Sequence, residues 1–298
     1  MRTWIAIGLI WLQSAPEGPG LESLGRLDVA RIPEASGVVA SRRHPGVFWV
    51  HNDSGNPPLL FAIRADGRIV GQFRLGVANV DWEDVAIDDQ GRLYIGDIGN
   101  NGGRLPLRAI YRLNEPDPAK PLDRPIAASL ATFYNPTTPA GRFDAEAMIL
   151  SGREMILVAK RHDGREAELL AVPLDPPAPI LRPARPRSIG RLAKFVEPAT
   201  GASVSRDGTL LAVCSETVAR VYSMTPDLPW PLVAETRYAS RPIEGVAWDD
   251  RDLILVAEGG PLYRITEKTW RANRVSPAAT PGKSADDSRP DLPVRSRR

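Results

Sequence analysis

Val80-Asp81-Trp82-Glu83-Asp84-Val85-Ala86-Ile87-Asp88-Asp89-Gln90-Gly91-Arg92-Leu93-Tyr94-Ile95-Gly96-Asp97-Ile98-Gly99-Asn100-Asn101 is the stretch on which the reading of this chain turns. An acidic residue opens a short apolar strand; an Asp/Gly turn follows, then a second short strand and a loop rich in acids and amides. The pattern recurs at Glu146-Ala147-Met148-Ile149-Leu150 with Met155-Ile156-Leu157-Val158-Ala159-Lys160, and at Thr200-Gly201-Ala202-Ser203-Val204 with Leu210-Leu211-Ala212-Val213-Cys214. It returns at Glu244-Gly245-Val246-Ala247-Trp248 with Leu253-Ile254-Leu255-Val256-Ala257-Glu258. An earlier copy, Ser36-Gly37-Val38-Val39-Ala40 with Val47-Phe48-Trp49-Val50-His51-Asn52, carries two extra residues in its turn and brings the number of copies to five.

In four copies a loop residue stands fourteen positions after the opening residue: Glu83 to Asp97, Glu146 to Lys160, Thr200 to Cys214, Glu244 to Glu258. A strand of about five residues, a tight turn and a return strand bring those two positions back to one edge of a hairpin. Further strand-like runs fill the intervals: 60–63 with 70–73, 109–113 with 131–134, 169–172 with a proline-broken partner, and 220–224 with 232–236. Four strands per repeat, with no helical periodicity between them, predict an all-β chain: a single β-propeller of five four-stranded blades. Six blades are the alternative, with a degenerate one hidden in the proline-rich interval 173–186. Residues 24–32 alternate like a strand but have no hairpin partner, so they are expected to complete the last blade and close the ring.

Composition agrees with one loop-rich all-β domain, at 43% apolar residues and 29 prolines in 298 residues. A formal net charge of +2 gives no electrostatic argument for nucleic acid. The single cysteine, Cys214, excludes an internal disulfide. Residues 1–15, a basic start and a short apolar run, read as a secretory signal peptide, so an exported protein is expected, periplasmic or extracellular. No later run is long enough to span a membrane. The propeller is placed at 22–277, a disordered polar tail at 278–298, and the expected state is a monomer.

The repeat delivers two columns of side chains to one face: Ser36, Glu83, Glu146, Thr200 and Glu244 at the blade openings, and Asn52, Asp97, Lys160, Cys214 and Glu258 at the ends of the second strands. Carboxylates converging on one pocket repel each other unless a cation or protons intervene. Oxygen donors with few imidazoles favour calcium or another hard divalent cation over zinc, and the three histidines, His44, His51 and His162, lack zinc-helix spacing. Lys160, Arg161 and His162 are candidates for an anionic ligand group, and Asn52, Asp53 and Asn100 lie in loops able to approach a ligand. The competing reading makes Glu83, Glu146 and Glu244 internal glue that accepts backbone N–H groups of neighbouring blades.

Glu244-Gly245-Val246-Ala247-Trp248 and Thr200-Gly201-Ala202-Ser203-Val204-Ser205-Arg206-Asp207-Gly208 resemble blade-opening motifs of the gluconolactonase and regucalcin propellers. Asp144-Ala145-Glu146-Ala147 is similar to phytase-like and SdiA-regulated bacterial propellers. The lactonase resemblance implies metal ligands at Glu83, Glu146 and Glu244, with Thr200 standing where that motif has asparagine. Two functions are expected from different classes. One is a calcium-dependent hydrolase of a lactone or phosphoester, with Asp97 or Glu258 as general base and Lys160 holding the anionic part. The other is a platform that binds a peptide, glycan or small molecule at the channel mouth without turnover.

Overall fold

The computed structural model describes residues 20–275 except 121, 139 and 140; the leader expected over 1–15 and the tail expected over 278–298 lie outside the described residues. Five antiparallel four-stranded sheets form the blades, each running from the channel outward in chain order. Blade 1 is Ala35–Ala40, Phe48–Asn52, Leu59–Ile63 and Ile69–Arg74; blade 2 is Trp82–Ile87, Arg92–Asp97, Arg108–Asn114 and Ser129–Tyr134. Blade 3 is Ala145–Ser151, Glu154–Ala159, Glu168–Pro173 and Arg187–Arg191; blade 4 is Gly201–Val204, Leu210–Cys214, Val218–Ser223 and Leu232–Arg237. Blade 5 takes Ile243–Asp249, Asp252–Ala257 and Pro261–Ile265 from the end of the chain, and its outermost strand, Glu22–Arg26, from the beginning.

That closure is the expected one, shifted toward the N-terminus. Glu22 pairs with Arg264 and Arg26 with Pro261, whereas residues 27–32 form turns. Leu27 and Ile32 drop from those turns into the core between blades 5 and 1, which accounts for their strand-like alternation. The proline-rich interval is not a sixth blade. Its middle lies along the outer strand of blade 2, with Phe133 N–H donating to the Ala178 carbonyl (3.0 Å) and Ala184 N–H to the Phe133 carbonyl (2.8 Å). Ile126 covers the outer edge of blade 1 in the same way, and Val275 that of blade 4, so loops hide strand edges that would otherwise template aggregation.

Because side chains alternate across each strand, every blade has two apolar faces. The result is five hydrophobic clusters, one per blade interface. In the second strand of blade 2, Leu93 and Ile95 pack toward blade 1 while Tyr94 packs toward blade 3. A short helix, Glu267–Ala272, was not expected from the sequence; Thr266 caps it and Trp270 anchors it edge-on against Trp248.

At the channel the innermost strands meet backbone to backbone. A Cβ on Gly37 would lie 2.8 Å from the Asp84 Cα, and one on Gly201 would lie 2.7 Å from the Gly245 Cα. Blade 2 alone places a long side chain at this waist. Asp84 is fully buried, and its carboxylate accepts N–H bonds from Val85 (2.8 Å) on its own strand, Met148 (2.8 Å) in blade 3 and Ala202 (3.4 Å) in blade 4. Burial pushes its pKa well above the ordinary aspartate value, against the lowering by those N–H donors. Ser36 donates to the Glu83 carbonyl and Thr200 to the Ile243 carbonyl, both at 2.7 Å, stitching blade 1 to 2 and blade 4 to 5.

Removing the Asp84 carboxyl would strand buried N–H groups of three blades. Asp84→Ala is therefore expected to cost about 3 kcal/mol or more in urea unfolding, whereas Asp84→Asn, which keeps one acceptor oxygen, costs less than half as much. A loss of only a few tenths of a kcal/mol in Asp84→Ala would show that the waist does not depend on it.

Candidate metal centre

Three of the five blade openings carry their acid at an interruption of the innermost hairpin. Trp82 pairs with Asp97 and Asp84 with Gly96, which leaves Glu83 as the extra residue of a β-bulge; Glu146 and Glu244 occupy the same position in blades 3 and 5. A bulge re-aims the extra side chain, here toward the channel mouth. Asn79 then ties two loops together. Its amide donates to the Asp53 carbonyl (2.8 Å) and its oxygen accepts from Trp82 N–H (3.1 Å), drawing the end of the second strand of blade 1 against the opening of blade 2.

The consequence is a cluster of three carboxylates, Asp53, Asp81 and Glu83, whose oxygens lie within 4.8 Å of one another. No cation forms an ion pair with any of the three among the described residues. Burial raises the pKa of Asp81 and Asp53; Arg108 opposes the shift at Asp81. Glu83 is driven well above the carboxylate range, by burial first and then by Glu146, Asp53, Asp81 and Asp144. Gly99 backs the cluster closely: a Cβ there would strike the Glu83 Oε1 and the Asp81 Oδ2. Converging hard oxygens, with no ion-pair partner among the described residues and in a cradle that admits no side chain, are the donor set of a divalent cation, with Arg108 and Lys160 acting on them only through space.

A second half of the site lies against blade 3. Lys160 forms an ion pair with Glu146, and burial works against its ammonium, but Glu146, then Glu244 and Glu83, outweigh it and lift the Lys160 pKa. Burial raises Glu146 to about 7 even beside Lys160, and burial followed by Glu146 raises Glu244 to about 8. Only Glu146 pairs with Lys160, while Glu244 and Glu83 act on it through space; of the three glutamates expected as metal ligands, Glu83 alone lies in the carboxylate cluster. No backbone N–H donates to these three carboxylates among the described residues; the inter-blade glue is Asp84, Ser36 and Thr200. Beside Lys160 opens a cavity of about 440 Å³ whose walls include Arg161, His162, Asn100 and Arg142.

The fourteen-residue spacing does not mark one structural column. The turn of blade 2 is wider, joining Ile87 to Leu93, where blades 3 and 5 join Ser151 to Glu154 and Asp249 to Asp252. Asp97 therefore matches Ala159 and Ala257, and Lys160 and Glu258 lie one residue further on. Asp97 turns into its own blade as the buried ion-pair partner of Arg108 and accepts the Asp81 N–H at 2.9 Å, so it positions Asp81 without facing the mouth. Glu258 is exposed beside Glu244. Cys214 is buried, with its thiol pushed up by burial.

Asn52 and Asn100 serve the scaffold. Asn52 accepts from Glu34 N–H and donates to the Arg31 carbonyl; Asn100 N–H donates to Asp144 (2.6 Å) and its amide to the Phe143 carbonyl (3.1 Å). Arg161 pairs with Asp163 at the cavity wall. Asp81 and Asp144 were not singled out from the sequence. The signal was there: Asp81-Trp82-Glu83 and Asp144-Ala145-Glu146 are the same Asp-x-Glu motif at successive openings.

No protein-family model matches this chain and no curated protein matches it. Among solved structures it is similar to a hydrazine synthase of Kuenenia stuttgartiensis, with 9% sequence identity and a TM-score of 0.39 over 76% of this chain and 56% of that one. The chain spans little more than half the length of that protein, and nothing about function is carried over from it.

A carboxyl whose pKa is higher folded than unfolded takes up a proton on folding, so its stabilising contribution is present at low pH and is lost as pH rises through the folded pKa. In chelator-treated protein the melting temperature is expected to fall as pH rises from the ordinary glutamate value of 4.5 through about 7 to about 8, and Glu146→Gln with Glu244→Gln should flatten that fall. A profile that is unchanged in the double variant would contradict the assignment.

Proposed function

We propose that the acidic mouth holds a hard divalent cation, calcium by its donor chemistry, between Asp53, Asp81 and Glu83, and that the chain hydrolyses a lactone or phosphoester beside it. The observation that supports this reading is the convergence of those three carboxylates with no ion-pair partner among the described residues. Buried acids left uncompensated cost stability, and such costs concentrate at functional sites. When bound, the cation would polarise the substrate oxygen and make a neighbouring water easier to deprotonate.

The chain's own residues supply the remaining roles. Lys160, at the edge of the 440 Å³ cavity, orients the anionic part of the substrate while Glu146 holds the ammonium in place. Glu258, exposed at the mouth, is the base that takes the proton from water. Glu244, with its pKa raised to about 8, keeps a proton at neutral pH and can give it to the leaving oxygen. Asp97 takes no part in proton transfer, because Arg108 holds it. Export, predicted from the 1–15 leader, belongs to the same proposal.

Calcium at a hundredfold excess over its Kd should stabilise the folded chain by about 2.7 kcal/mol, and a chelator should reverse the effect. Asp81→Asn and Glu83→Gln should shrink the response while leaving the metal-free protein no less stable, since repulsion is relieved. In a panel of lactones and phosphoesters, turnover should require calcium and fall at least about tenfold in Lys160→Ala and Glu258→Gln. A flat calcium titration would remove the cation site; a calcium response with no turnover across the panel would leave the binding platform.

A further inference from the structure

The opposite mouth of the channel, where the innermost hairpins turn, holds a separate cavity of about 610 Å³. Val85, Met148 and Ala202 line it, and they are the same three residues whose N–H groups bond to Asp84. Asp84 therefore lies directly behind its floor, and the cavity is cut off from the acidic mouth. Val39, Ala86 and Trp248 contribute to its wall but are largely buried in the inter-blade cores, so the surface facing the cavity is mixed, with polar groups in slight excess. A volume of this size is that of a small-molecule site.

The polar end carries Arg42, half-buried, and Arg206, exposed at the rim. Neither guanidinium enters an ion pair among the described residues, and the buried Nε of Arg42 has no hydrogen-bond partner. Of the other arginines with an orphaned Nε, Arg108 and Arg264 are ion-paired through their guanidinium groups, and Arg241 donates to the Tyr263 hydroxyl (3.1 Å) and lies over its ring. Burial lowers the Arg42 pKa; Asp89 opposes this, Arg206 adds to it, and Glu115 and then Asp88 also oppose it, although Glu115 forms no ion pair with Arg42 among the described residues and accepts from the Trp49 indole.

The acids around the cavity do not meet this need. Asp88 is taken by the Gln90 and Arg92 N–H groups and the Arg92 side chain. Asp207 caps its own turn through Ser205 and Thr209, and Asp249 faces Arg264. Asp89 and Asp250 remain on the rim, Asp89 exposed and outside ion-pair distance of Arg42. The unmet group inside is a donor, and a buried donor calls for an acceptor.

From the cavity, its closed floor and the two arginines without ion-pair partners among the described residues, we infer that the hairpin mouth is a second binding site, for a small organic anion. Its carboxylate meets Arg42 and Arg206, and its body lies in the cavity between the innermost strands. The site is independent of the cation at the acidic mouth.

Sodium octanoate titrated calorimetrically into the full chain in chelator tests this. One octanoate per chain is expected, with octylamine and octanol at least about tenfold weaker, because only the carboxylate forms charge-assisted bonds to the arginines. Arg42→Gln with Arg206→Gln should weaken octanoate about tenfold or more, while Glu83→Gln leaves it unchanged. No octanoate binding at millimolar concentration, octylamine binding as tightly as octanoate, or undiminished binding in a folded double variant would each overturn the site. The comparison of the three ligands on the parent chain decides the matter even where the double variant fails to fold.

Discussion

The buried carboxylate of Asp84 is the contact around which the molecule is arranged. A ring of five blades has a narrow channel, and at its waist Gly37, Gly201 and Gly245 let the innermost strands approach until backbone meets backbone. One copy keeps a long side chain there and uses it to bond N–H groups of blades 2, 3 and 4 at once. Placing a carboxyl in a fully buried position is unfavourable unless its oxygens are satisfied, and three N–H donors supply that. The same contact divides the channel into two mouths with different chemistry.

One mouth collects acids. Glu83 lies one residue before Asp84, so the strand that plugs the waist also fixes the cluster, and Asp97 with Arg108 holds the loop carrying Asp81 from behind. The division of labour is physical. Carboxylates that accept N–H groups stabilise the ring, whereas Glu83, Glu146 and Glu244 accept none among the described residues, and burial first, then neighbouring acids, raises the pKa of all three. Lys160 pairs with Glu146 and leaves the Asp53, Asp81 and Glu83 oxygens without an ion-pair partner among the described residues. Acids held together against their own repulsion are a reason to expect a ligand, since packing alone does not require them.

The repeat pattern made the blade number, the blade order and the N-terminal closure legible, because strand period and copy count are written directly in the chain. It also brought Glu83, Glu146 and Glu244 to one face. It failed where geometry depends on a single residue of length. The wider turn of blade 2 moved Asp97 out of the column that spacing assigned to it, and the bulges that aim the glutamates cannot be counted from hydrophobicity. Asp84 was visible in principle: after the opening residue the copies read Gly37, Ala147, Gly201 and Gly245, and only one carries an acid. The proline-rich interval was ambiguous because a strand that lies on a neighbouring blade has the same local signature as one that begins a new blade.

The central claim is that the acidic mouth takes a hard cation at Asp53, Asp81 and Glu83, and Trp82 provides a direct probe, since its backbone joins two of those residues. Terbium, a hard oxygen-seeking ion, luminesces when a nearby excited indole transfers energy to it. Titration should give saturable emission at one ion per chain, displaced by calcium, quenched in Trp82→Phe and lost in folded Asp81→Asn with Glu83→Gln. Emission no greater than that of the free ion, or emission undiminished in that double variant, would contradict the account.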